Sequence, residues 1–410
     1  MDRSVTIILL NSQDPLPLTN RKILHLLRKK LSTNNQPCIP FKYNFTLKGT
    51  LGNATTFDSC STNVNGIDFS FPRDVKISYR HSLIVVSDFG NSRIVLFDLM
   101  TRKFVTSIPL SFHPQCLAFD TNDMDSLIVT LSYCHVCKFR IFNRGEPIVR
   151  KWQVGISNNM IHENDEENRT TPNNLPPFTN NSSKTPKFYY PMGVAVIPKR
   201  NYESSDIYIC NSGYNQIEIL NSFDGSLIRS ISTLVHHRLE IHSQIHEPWS
   251  IAVLFSNKMN PKIVISEYWN SKIKILSPAI NNSDANQHYW DIKKSISILG
   301  NDEEYTSMPE NDHNMNSQQG TAVSSNQPDY FVCPMGLCVD RSTGNIIVSD
   351  SMNHRIMVFH KSGKFLKSFG SFGIFNKSEK LYAPFGMCVN ERTGELFVVD
   401  ENNHRILMFD

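Results

Sequence analysis

Cys134-His135-Val136-Cys137 sets two thiols and an imidazole within four residues, the kind of spacing that opens a tetrahedral zinc site. A four-ligand site needs a second pair at similar spacing, and the remaining cysteines supply none. The bland reading is a buried thiol packed as a small hydrophobe. His236-His237 with His242 and His246 form a second cluster in a loop, without a carboxylate at matching spacing. No glycine-rich phosphate loop or nucleophile elbow occurs. These motifs predict no catalytic residue, no metal and no cofactor.

A third constellation is more systematic. At six places an acid, amide or apolar residue is followed five positions later by a matching partner. The couples are Asp88/Arg93, Leu131/Val136, Asn211/Gln216, Glu267/Lys272, Asp350/Arg355 and Asp400/Arg405. Four join acid to base, one amide to amide and one apolar to apolar. An arginine kept for phosphate would not lose its carboxylate each time it is itself replaced. A pair holding a turn would, because a buried charge without its partner is costly. The couples are therefore predicted to be structural turn pairs, each in side-chain contact.

The couples sit inside repeats, which must position them. Cys333-Pro334-Met335-Gly336-Leu337-Cys338-Val339-Asp340 is answered 50 residues on by Ala383-Pro384-Phe385-Gly386-Met387-Cys388-Val389-Asn390. Ile347-Val348-Ser349-Asp350 is answered by Phe397-Val398-Val399-Asp400, and Asn353-His354-Arg355-Ile356 by Asn403-His404-Arg405-Ile406. Such a period indicates stacked repeats. Each copy holds short apolar runs, a proline where a strand can begin, and Thr-Gly turn chemistry. Prolines 72, 114, 191, 248, 334 and 384 phase six units. The expected architecture is all-β: a six-bladed propeller of four-stranded antiparallel blades, over about 70–112, 113–156, 188–236, 245–300, 331–373 and 381–410. Residues 42–52 look like an outer strand that precedes any first blade, while the last unit ends after three strands. The N-terminal strand is thus predicted to complete the last blade and close the ring, removing an open sheet edge.

The residues quoted above, Pro-Met-Gly, Ile-Val-Ser-Asp and Asn-His-Arg-Ile, resemble the NHL repeat over about residues 42–410, most closely in units one, five and six. The resemblance implies the same six-bladed propeller. NHL propellers serve as RNA- and protein-binding platforms in tripartite-motif proteins, as the peptide-amidating lyase, and as sensors or scaffolds. Tripartite-motif proteins carry zinc-binding modules upstream, whereas only Cys38 and Cys60 precede the first full unit here. The lyase branch places metal-binding histidines just after the blade-opening prolines. Those positions here are Arg73, Gln115, Met192, Trp249, Met335 and Phe385, with no histidine among them.

Composition bounds the rest. The chain has 410 residues, 40% hydrophobic and 19% charged, with a formal net charge of +3. Residues 1–40 hold six basic side chains against two acids, so the repeat body is not basic. Residues 19–31 read as a basic amphipathic helix in an N-terminal appendage, 1–40, ahead of the propeller, 41–410. Insertions 157–187 and 301–330 are polar, without apolar periodicity, and are expected to be mobile. The longest early apolar run, 5–10, is too short for a membrane span. Nine scattered cysteines suit reduced thiols and a cytoplasmic protein.

The six post-proline residues are predicted to crowd the mouth of the central channel, on the face that also carries the turns after the second strands. Arg73, Gln115, Met192, Trp249, Met335 and Phe385 form the expected binding rim, rich in the aromatic, Met and Arg side chains of interface hot spots. The alternative is that they plug the channel. The expected partner is a protein or peptide. RNA is the rival and needs a basic surface, yet insertion 301–330 carries six acids and no base. A propeller lyase or hydrolase is a minor alternative. Oligomeric state is not legible.

Overall fold

The structure is a computed structural model that describes residues 38–52, 67–141, 148–155, 186–199, 204–231, 245–254, 261–278, 290–296, 330–374 and 379–410. The expected helix at 19–31 lies outside them, as do nearly all of the two insertions. A compact unit begins at Cys38 and runs to Asp410.

Six four-stranded antiparallel sheets form the blades. The first strands are Pro72–Ser78, Pro114–Asp120, Pro191–Pro198, Pro248–Leu254, Pro334–Val339 and Pro384–Val389. The second strands are Leu83–Asp88, Ser126–Leu131, Ser205–Asn211, Lys262–Glu267, Ile346–Asp350 and Leu396–Asp400. The second strands lie between two neighbouring blades and are buried on both faces, which is why they read as continuous runs such as Ile84-Val85-Val86 rather than as alternations. Third strands follow after a tight turn. The fourth, outer strands are largely open to solvent; Phe365–Phe369 is half-buried at its ends and exposed between them.

The ring closes as predicted. Leu47–Leu51 pairs antiparallel with Arg405–Phe409, setting Leu51 opposite Ile406 and Thr50 opposite Leu407, and supplies the sixth blade's fourth strand. Residues just upstream fasten this strand to the fifth and sixth blades. The Ile39 amide donates to the Glu391 carbonyl at 2.8 Å, and the Phe41 amide to Asp340 Oδ2 at 3.2 Å. Phe45 stacks on Phe369 with centroids 4.3 Å apart.

Two local features shape the channel mouth. Gly336 and Gly386, two residues after their prolines, are close-approach positions: a Cβ on Gly336 would lie 1.9 Å from the Phe385 carbonyl oxygen, and one on Gly386 2.6 Å from that of Arg73. Adjacent first strands meet backbone to backbone there, so only glycine fits. The residue before the proline is left-handed in five blades, at Phe71, Tyr190, Glu247, Cys333 and Ala383. That conformation is disfavoured for any non-glycine residue, and more so before proline. Its recurrence shows a shared structural demand: the chain must turn sharply from the top face into the first strand.

Candidate functional site: the top face and the channel mouth

The first strand's proline pairs with the second strand's last residue, as Pro72 with Asp88, so pre-proline loops and second-strand turns share one face, here called the top. In blades one, five and six the acid ending the second strand organises it. Arg93, Arg355 and Arg405 donate through Nε to Asp88, Asp350 and Asp400 at 2.7, 2.7 and 2.8 Å. Asn91, Asn353 and Asn403 each donate to the same carboxylate at 2.9 Å. The other oxygen accepts from the amide two residues before the proline: Ser70, Val332 and Tyr382, at 2.8, 2.7 and 2.6 Å. The arginines' Nη2 groups then reach the carbonyls of Asp68, Tyr330 and Lys380. One buried carboxylate thereby ties turn, third strand and entry loop together through three hydrogen bonds.

Blades two to four depart from this scheme. Glu267 faces Lys272 across the ladder, but its ion pair forms with Lys274, at 2.8 Å, both side chains buried. The expected Glu267/Lys272 contact is therefore corrected to Glu267/Lys274: the extra methylene of Glu267 carries its carboxylate past its ladder neighbour to the next residue on the same face. Asn211 likewise reaches Glu218, seven residues on, at 3.4 Å, and the Lys187 carbonyl at 2.9 Å. In blade two the turn is one residue shorter, and Leu131 pairs with His135 rather than Val136. Val136 thus takes the place opposite Thr130 that Ile356 takes opposite Ser349, and Cys137 moves one position along.

The Cys134–Cys137 segment holds buried groups. Burial pushes the Cys137 thiol up to about 12 and raises that of Cys134, so both stay protonated at neutral pH. His135 stacks on Phe112 at 4.6 Å. Among the described residues no three His, Cys, Asp or Glu side chains are grouped to hold a metal ion. His236, His237 and His242 lie outside the described residues.

Of the six post-proline residues, four are packed rather than presented. Met192 and Phe385 are each 2% exposed, and Gln115 and Met335 are also buried. Arg73 Nε pairs with Glu401 at 3.1 Å, its Nη1 donates to Gln115, and its guanidinium sits 3.5 Å from the Phe89 ring centroid. Burial raises the Glu401 carboxyl above the usual range, against the pull of Arg73. Hydroxyls from the preceding blade hold the rim backbone: Ser87 donates to the Gln115 carbonyl, Thr130 to that of Met192 and Ser349 to that of Phe385, at 2.7–2.8 Å. Gln115, Met192, Met335 and Phe385, expected in an open apolar rim, are thus buried side chains. Trp249 remains half-buried, stacked on Tyr268 at 4.5 Å.

Exposed aromatic surface lies one ring further out. Among the described residues nine aromatic side chains are exposed, and seven of them stand on the top face: Phe71, Tyr133, Tyr189, Tyr190, Trp269, Tyr330 and Phe372. Phe104 and Phe223 lie elsewhere. Several lean on another ring, as Tyr190 on Tyr189 at 4.7 Å, Trp269 on Tyr268 at 4.9 Å and Phe372 on Tyr382 at 5.1 Å. Such contacts hold the side chains in place before anything binds. Sequence reasoning missed this ring. Its signal is nonetheless there: aromatics at turn tips and pre-proline positions, where a repeat needs none.

Blade-to-blade latches run beneath this ring. His354 Nδ1 accepts from the Ala383 amide at 3.1 Å, and His404 Nδ1 from the Phe71 amide at 3.0 Å, across the closing seam. In blade three Asn215 Oδ1 does the same for the Glu247 amide at 2.7 Å. His354, His404 and Asn215 all occupy a left-handed turn position. Burial holds both imidazoles below their ordinary value, and His404 is pulled back toward it by Asp88 and Asp400.

Comparison with known proteins adds the fold and a local motif. The NHL repeat model matches residues 331–359, the first part of blade five. No curated protein matches the sequence. Among solved structures, a protein of unknown function from Bacteroides thetaiotaomicron is similar at TM-score 0.51 and 11% identity, covering 87% of this chain and 74% of that one. An auxiliary nutrient binding protein from the same organism aligns at TM-score 0.47 and 11% identity, over 84% of this chain and 69% of that one. The Cps50 (Swd1) β-propeller domain of Myceliophteria thermophila aligns at 0.43 and 8%, over 82% and 83%. At these identities the similarity concerns the fold.

Proposed function

We propose that this propeller is a non-catalytic, cytoplasmic scaffold of NHL type that binds a protein or peptide on its top face. The observation that carries this reading is the concentration of exposed aromatic side chains there, several braced against another ring, beside a buried rim. Large, rigid aromatics present contact area at low entropic cost and dominate interface energetics. The docking surface is this outer ring together with Trp249, rather than the buried rim. Arg73, Arg93, Arg355 and Arg405 on this face are each engaged with a carboxylate, which leaves them poorly placed to neutralise phosphate. A polypeptide partner therefore fits better than RNA. The test is affinity capture from lysate, with and without ribonuclease, comparing wild type with a Tyr190→Ala/Trp269→Ala double variant. Proteins retained after ribonuclease and lost in the variant support the reading. Loss on ribonuclease treatment alone makes RNA the ligand, and equal capture by the variant removes the site.

A further inference from the structure

We infer that the corner formed by Glu247, Trp249, Tyr268 and Trp269 on the fourth blade takes a cationic side chain, a lysine or arginine of the bound polypeptide. This rests on the top face being the docking face.

Glu247 ends the entry loop of the fourth blade. It directly precedes Pro248, a position held in the other blades by Phe71, His113, Tyr190, Cys333 and Ala383, so it is the one acid in that register. Its backbone is fixed on both sides: its amide donates to Asn215 Oδ1 at 2.7 Å, and its carbonyl accepts from the Tyr268 amide at 3.3 Å. The carboxylate is half-buried, yet among the described residues it has no hydrogen-bond or ion-pair partner. The other buried carboxylates of this face differ. Asp88, Asp350, Asp400, Glu267 and Glu401 each hold a cation, and Glu218 accepts from Ser230 and Asn211. A partly desolvated carboxylate left alone in such company lacks the group its neighbours have. Burial alone raises its pKa, which a cation would reverse.

The surroundings suit a cation on a long apolar stem. Tyr268 stacks on Trp249 at 4.5 Å and meets Trp269 at 4.9 Å with the planes 88° apart, so two rings form a right-angled corner, and the Glu247 charge acts on the Tyr268 hydroxyl. Trp269 is 65% exposed and Tyr268 is half-buried, so the corner opens to solvent. Ring faces attract lysine ammonium and arginine guanidinium groups, and a carboxylate at the corner adds charge complementarity. An uncharged apolar residue could fill the rings but would leave Glu247 unpartnered.

The test is selection of a phage-displayed dodecapeptide library on the whole protein, followed by titration of the selected peptides. The expected result is a lysine or arginine at one fixed position. Its replacement by norleucine weakens binding to wild type about tenfold, the scale of one cation–π contact with charge support. Glu247→Gln weakens the basic peptide by a similar factor and leaves the norleucine peptide unchanged, while Phe104→Ala, off this face, changes neither. Selected peptides that depend on Tyr190 and Trp269 but carry no preferred basic residue overturn this inference alone. Equal norleucine losses in wild type and Glu247→Gln do the same. Peptides indifferent to both Tyr190→Ala and Trp269→Ala overturn the docking face and this inference with it.

Discussion

The channel mouth and the ring around it are built from the same residue types and serve opposite ends. At the mouth, Phe385, Met192 and Met335 are buried among six converging strands, and Arg73 is tied to Glu401 and Gln115. One ring outward, Tyr190, Trp269 and Phe372 are exposed, each against another aromatic. The difference lies in distance from the propeller axis. Near the axis, first strands approach backbone to backbone through Gly336 and Gly386, and any large side chain there must fill the channel. Further out the turns diverge, and the same side chain meets water. Residue type alone therefore does not mark a binding surface in a propeller; radius does.

This contrast can be broken by stability measurements. Phe385→Ala should lower the unfolding free energy by about 3–5 kcal/mol in denaturant titration, the cost of emptying a buried aromatic site. Trp269→Ala should change it by less than about 0.5 kcal/mol. Equal losses would mean that the buried rim and the exposed ring are not distinct. Within blade four the corrected ion pair gives a second test. Lys274→Ala strands the buried Glu267 carboxylate and should cost about 3–5 kcal/mol. Lys272→Ala, at the original position, should cost no more than about 1 kcal/mol. The reverse order would restore the sequence-based pairing.

Smaller effects separate the latches from the ring they carry. His354 and His404 accept hydrogen bonds through Nδ1 and must be neutral to do so. Their folded pKa values lie below the ordinary 6.5, so the unfolded chain takes up protons first as pH falls. The stability they contribute is complete above the unfolded value and is lost as pH drops through 6.5 toward the folded one. The denaturation midpoint of wild type should decline from about pH 7.5 to about pH 5.5. A His354→Asn/His404→Asn variant should decline less. Asparagine is the natural substitute, since Asn215 makes the same latch with an acceptor that does not titrate. An unchanged pH profile in the variant would show that other groups govern acid sensitivity.

Much of the fold was legible in the residues. Two nearly matching copies at a spacing of 50 residues exposed the period, the prolines phased six blades, and the orphan strand within 42–52 with the three-stranded last unit disclosed the closure. Side-chain reach was less legible. A ladder predicts Glu267 opposite Lys272 correctly, but which lysine the carboxylate grips depends on one methylene. The shortened turn of blade two was hidden because Leu131 and Val136 are both apolar and satisfy the pattern in either register. Exposure was least legible of all. The post-proline residues are fixed in the chain, but how far each lies from the axis emerges only when six blades pack.

The measurement that bears most directly on the central claim is partner capture by two double variants, each checked for an unchanged unfolding midpoint. Tyr190→Ala/Trp269→Ala removes exposed aromatics from the top face, and Phe104→Ala/Phe223→Ala removes comparable exposed surface from elsewhere. The account expects the first to lose ribonuclease-resistant partners and the second to keep them. Loss in the second with retention in the first would place the docking surface off the top face and contradict it.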